Sequence, residues 1–87
     1  MAVLAFPARH LTRDDQSAII AKAGRGGYCC QPTIGDDGCP SIVLLDDRRR
    51  VRGYITKEHG VYAVMNARRI AVVESRRLDD VLSVLSP

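Results

Sequence analysis

Two short stretches hold six of the eleven arginines in this chain of 87 residues. DDRRRVRGY at 46–54 carries Arg48, Arg49, Arg50 and Arg52, and NARR at 66–69 carries Arg68 and Arg69. Guanidinium is planar, weakly hydrated and able to give two parallel hydrogen bonds to one anion, so the chemistry these residues suggest is the grip of phosphate. The same groups would serve an acidic protein surface, where opposite charge speeds encounter and disfavours wrong partners. Asp46 and Asp47 stand across the turn from Arg49 and Arg50 and offer a third outcome: cross-strand ion pairs that absorb the cluster without any partner.

Placement is what makes the arginines informative. Residues 1–47 hold four basic and six acidic side chains; residues 48–77 hold nine basic against Glu58 and Glu74; Asp79 and Asp80 follow. Segments of −2, +7 and −2 therefore lie behind the overall charge of +3. A GC-rich coding region explains why arginine outnumbers lysine eleven to two, but not why the charge is gathered in one third of the chain. Asymmetry of this kind bears on partners and encounter rates.

Other candidate chemistry is thinner. Cys29, Cys30, Cys39, His10 and His59 are the residues from which a zinc site could be drawn, yet zinc needs four converging ligands, and neighbours such as Cys29 and Cys30 face opposite ways on a strand. The cysteines read as small packing hydrophobes, and no metal or other cofactor is expected. No motif places a base or an oxyanion hole beside a cysteine, so the chain reads as non-enzymatic. GRGG at 24–27 leaves a helix for a strand, the reverse of a phosphate loop, and serves as a helix stop. GDDG at 35–38 has too few oxygen ligands for calcium and reads as a turn.

The arginines need elements to hold them. Residues 2–6 read as a short strand ended by Pro7. Thr12 sits where a helix N-cap would, with Asp14 and Asp15 in the first turn, and a helix over 13–23 follows with Ile19, Ile20 and Ala23 as its apolar stripe. Gly24 is placed to stop it in the left-handed conformation. YCCQPTI at 28–34 is a strand whose Pro32 favours a sheet edge. SIVLL, VRGYITK, GVYAVM and RIAVVE then form an antiparallel series, with turns at 46–49, 58–60 and 66–68. Leu78, Val81, Leu82 and Leu85 recur at helical spacing behind a Ser75 cap. The expected fold is α+β, a single domain over residues 1–87: a short N-terminal strand and helix, then a β-meander with a C-terminal helix packed across the sheet.

Alternation sets Val51 and Ile55 against Tyr54, and Tyr62 and Val64 against Val61, Ala63 and Met65, so both sheet faces are partly apolar. Either the helices divide the faces between them or a second copy covers one, and a homodimer is expected. Successive turns of a meander fall at alternate ends. The turns holding Arg48, Arg49 and Arg50 and Arg68 and Arg69 thus share an end, two strand spacings or about 10 Å apart, with Arg52 just inside. Lys57, His59, Arg76 and Arg77 belong to the other end. Tyr54 and Tyr62 add stacking surfaces on the sheet.

PSIVLLDDRRRVRGYIT at 40–56 resembles the strand, acidic turn and Gly-x-Ile-Thr strand of cystathionine-β-synthase-type nucleotide-binding modules, which also carry a helix upstream. In those modules a helix follows the threonine. Here Glu58 to Met65 turns into another strand, so no nucleotide site and no family membership are assigned.

An odd cysteine count and an opening, MAVLAFPARH, whose apolar run is broken by Pro7 and followed by Arg9 point to a reducing cytoplasm. No apolar run approaches the roughly 20 residues needed to span a bilayer, and no membrane role is expected. The sequence therefore describes a cytoplasmic binding protein that contacts nucleic acid or a nucleoprotein complex through an arginine-rich sheet rim: Arg48, Arg49, Arg50, Arg52, Arg68 and Arg69. The alternative is a small inhibitor or adaptor docking on an acidic protein surface, of the anti-defence kind that mobile elements encode.

Overall fold

The computed structural model describes residues 10–35 and 38–85. The strand expected over residues 2–6 and the tip of the GDDG turn lie outside them. Helix α1 (Arg13–Arg25) begins as its sequence requires. Thr12 is extended at φ −82°, its hydroxyl accepts from the Asp15 N–H, and the Asp15 carboxylate accepts from the Thr12 N–H. This reciprocal box satisfies two of the N–H groups that a helix start leaves without partners.

The helix does not stop at Gly24. It continues to Arg25, and the left-handed residue is Gly27 at φ 87°. The Gly27 N–H bonds to the Gly24 carbonyl and the Tyr28 N–H to the Ala23 carbonyl at 2.9 Å, a paired arrangement that ends many helices. What selects Gly27 over Gly24 is tertiary: Tyr28 must reach the core, against which it packs. Gly26 is fixed by the neighbouring helix, since a Cβ there would collide with the Leu85 carbonyl.

Five strands follow in sheet order identical to chain order, all antiparallel: β1 (Cys29–Ile34), β2 (Pro40–Leu45), β3 (Val51–Glu58), β4 (Val61–Asn66) and β5 (Ala71–Ser75). β1, with Pro32, takes an edge as expected. Ile42, Ile55, Val64 and Val73 stand side by side across four strands and face the helices. Ile19, Ile42, Ile55 and Val81 are fully buried, each contributing about 1.5–3 kcal/mol by leaving water. Helix α2 (Leu78–Leu85) buries Val81 and Leu85 on the same layer. Ser75 ties its start from three residues back, accepting from the Arg77 N–H and donating to the Asp80 carboxylate.

Both helices lie on one face. α1 packs on α2 and β1, and α2 packs on β4 and β5. Of the two arrangements that the alternation allowed, the helices do not divide the faces between them: they form a two-layer arrangement whose second sheet face is left uncovered by either helix. That face carries Thr33, Val43, Tyr54, Thr56, Met65 and Glu74. A second departure is local. Arg52 is an inserted residue between the pairs Leu44↔Gly53 and Leu45↔Val51, so Val51 shares a row with Leu45 instead of with Ile55. Such a bulge flips the alternation on one side of it. Gly53 beside it is required by packing, because a Cβ would collide with the Met65 carbonyl of β4.

Candidate functional site: two arginine hairpins

The β2–β3 and β4–β5 connections are built alike. Each opens on a short side chain whose oxygen caps the turn: Asp46 Oδ1 accepts from the N–H groups of Arg48 and Arg50, both at 2.9 Å, and Asn66 Oδ1 accepts from those of Arg68 at 2.9 Å and Ile70 at 3.1 Å. In each the fourth residue donates to the first, Arg49 N–H to Asp46 O and Arg69 N–H to Asn66 O. The closing pairs are Asp46 N–H to Arg50 O and Asn66 N–H to Ile70 O. Asp and Asn suit the first position because their side chains imitate a backbone carbonyl two residues on. The fourth residue is left-handed in both, Arg49 at φ 62° and Arg69 at φ 64°. Glycine is the residue of choice there, and an L side chain costs about 1 kcal/mol or more.

Asp46 is therefore spent on backbone. The N–H groups of Arg50 and Arg48, with the charges of Arg50 and Arg52 behind them, hold its carboxyl below the usual carboxylate range. The cross-strand ion pairs that the sequence suggested do not form. Among the described residues the ion pairs are Lys57 with Asp15 and Arg77 with Asp79, and neither involves the six arginines. Arg48, Arg49, Arg50, Arg52, Arg68 and Arg69 are all exposed.

The six share one end of the sheet, in three groupings. Asn66 is level with Gly53 and Leu44, two residues below Asp46, so the first hairpin projects beyond the second by about 6.5 Å and stands about 10 Å to its side. Arg48, Arg49 and Arg50 occupy the projecting tip. Arg52 and Arg68, from different hairpins, line one 330 Å³ recess with Tyr28. Arg69 folds over the sheet face opposite the helices, its guanidinium 4.8 Å from the centre of the Tyr54 ring. The rim is stepped, with arginines turned to more than one direction of approach.

The opposite end is organised by burial. Lys57 and Asp15 are 8% and 9% exposed, and Tyr62 is 5% exposed. The Tyr62 hydroxyl donates to Asp15 at 2.9 Å and accepts from the Lys57 ammonium at 3.3 Å, while the ammonium lies 3.9 Å from the second Asp15 oxygen and 4.5 Å from the Tyr62 ring centre. Burial first, then the hydrogen bond to the Asp15 carboxylate and its charge, push the Tyr62 hydroxyl up to about 12. Tyr62 is thus no stacking surface; it lies under the helices. The sequence reading missed this cluster, although two signals were present. Thr12-x-x-Asp15 has capping-box spacing, and Lys57 has the parity of Ile55, which sets it on the apolar face.

The cysteines do not gather. Cys29 is exposed, and Cys30 packs against the core, where burial and then the neighbouring Cys29 push its thiol up. The Cys39 sulfur lies 3.7 Å from His10 Nε2, whose Nδ1 is 3.3 Å from the Lys57 carbonyl. Among the described residues no three His, Cys, Asp or Glu side chains are grouped to hold a metal, and no helix is long and apolar enough to cross a membrane. Fold and site together define an α+β protein with a helix-covered meander and a basic hairpin end. The chain matches no protein-family model, no curated protein and no solved structure.

Proposed function

We propose that this protein is a non-enzymatic nucleic-acid-binding protein that holds phosphates at the end of its sheet, through Arg48, Arg49, Arg50, Arg52, Arg68 and Arg69. The observation that carries this reading is the pairing pattern. The Asp46 carboxylate beside the cluster is committed to backbone N–H groups, and the six exposed guanidinium groups form no ion pair with Asp46, Asp47 or any other carboxylate among the described residues. Charge concentrated this way repels itself in the free protein and gains on meeting a polyanion, whose counterions it releases. Stepped hairpins with cations at several heights suit a ridged backbone of phosphates better than a flat acidic patch.

Fluorescence anisotropy with labelled DNA and RNA tests it. Wild type should bind both at low salt, and the variant Arg48→Ala, Arg49→Ala, Arg68→Ala should bind neither at the same concentrations. A pull-down from lysate that recovers the same acidic protein with and without nuclease, lost in that variant, would give the rim to a protein partner instead.

A further inference from the structure

The sheet face that no described element covers is a groove of 560 Å³ that crosses all five strands. It is graded in charge. At its rim end lies Arg69 over Tyr54, two flat groups 4.8 Å apart; its floor is apolar at Val43, Ala63 and Met65; its far side carries Glu58 and Glu74 and the flank of Lys57, whose ammonium is turned to Asp15 and Tyr62. Ala63 pairs with Glu74 and Met65 with Tyr54, which places Glu74 two strands and one side-chain row from Tyr54, about 12 Å. A cation, a stacking plane and a hydrogen-bond acceptor therefore follow one another over the span of a single nucleotide.

We propose that this groove seats the bases of a single-stranded nucleic acid whose phosphates the arginine hairpins hold. The inference rests on the phosphate-binding reading above and adds the class of nucleic acid. Bases of a single strand are free to stack on an aromatic ring or a guanidinium plane, whereas those of a duplex are already stacked and paired. The Tyr54–Arg69 pair offers such a surface beside the phosphate site. Glu74 accepts only; the thymine N3–H is flanked by two carbonyl oxygens that repel a carboxylate, whereas the exocyclic amino group of cytosine offers a donor at the edge of the ring, so Glu74 favours cytosine over thymine. Charge runs the right way for this occupant, with the exposed arginines at the end where phosphates must lie and the carboxylates of Glu58 and Glu74 where base edges end.

Three labelled oligonucleotides of equal length test this against wild type: a deoxycytidine strand, a deoxythymidine strand and a strand of abasic sites that keeps every phosphate. The cytidine strand should bind about 10-fold or more tighter than the abasic one, the value of a stacked base. Tyr54→Leu should bring the ratio of cytidine to abasic affinity close to one, whatever the release of Arg69 does to abasic binding itself, and Glu74→Ala should remove the preference for cytidine over thymidine. Equal wild-type affinity for cytidine and abasic strands would overturn the groove while leaving the phosphate rim in place, and no binding of any strand would overturn both. A dimer in sedimentation that Tyr54→Arg dissociates would assign the face to a second copy of the chain and overturn it too.

Discussion

The two ends of the sheet treat charge in opposite ways. At one end Lys57 and Asp15 are almost wholly buried, joined through Tyr62, and each polar atom of the cluster has a partner. At the other, six arginines are exposed and the nearby carboxylate serves the backbone. Buried charges are costly to strand without a partner, while exposed ones contribute little to stability. The difference separates charges that hold the fold from charges that the fold holds out.

The largest expected effect breaks the buried end. Asp15→Ala strands Lys57 beneath the helices and removes half of the capping box, so urea denaturation should show a loss of about 3–5 kcal/mol, a large share of the stability of a domain this size. The rim variant Arg48→Ala, Arg49→Ala, Arg68→Ala should do the reverse. Its nucleic-acid affinity at physiological salt should fall on the order of 100-fold, while its unfolding free energy shifts by no more than about 0.5 kcal/mol per site.

Raising pH should separate the ends again. The Tyr62 hydroxyl is held at about 12 in the folded protein and near 10 in an unfolded chain. Its protonated form is therefore favoured by folding; the stability this supplies is complete below about pH 10 and is lost as pH climbs toward 12, by on the order of 1 kcal/mol or more. Denaturation curves across that window should show the loss in wild type and a flatter profile in Tyr62→Phe. The smallest effect lies in the turns. Arg49→Gly or Arg69→Gly relieves a left-handed side chain and should raise stability by up to about 1 kcal/mol while weakening nucleic-acid binding. A gain in stability with unchanged affinity would show that those two arginines contribute nothing to the contact.

Much of the fold was legible in the residues because local chemistry and tertiary demand agreed. The meander, its turns, the Thr12 cap and the Leu78, Val81, Leu82, Leu85 stripe all follow from alternation, turn residues and spacing. The common rim followed from counting turns. What escaped depended on packing at a distance. Nothing near Gly24 says that Tyr28 must reach the core, and nothing near Val51 announces the inserted Arg52. Lys57 read only as a cation of the other end and Tyr62 as a stacking surface because their partner, Asp15, lies 42 and 47 positions away in the chain. The stacking of both helices on one face was equally invisible, since each helix pattern shows that it buries a stripe and not against which side of the sheet. The carboxylates of the first hairpin misled for a related reason: Asp46 next to arginines suggests ion pairs, but the turn geometry claims it first.

The salt dependence of duplex binding tests the central claim most directly. If the rim holds about five phosphates, the logarithm of the association constant should fall against the logarithm of salt concentration with a slope near −4 to −5. Arg48→Ala, Arg49→Ala, Arg68→Ala should reduce that slope by about 3. A wild-type slope near zero, or a slope that the three substitutions leave unchanged, would contradict the account.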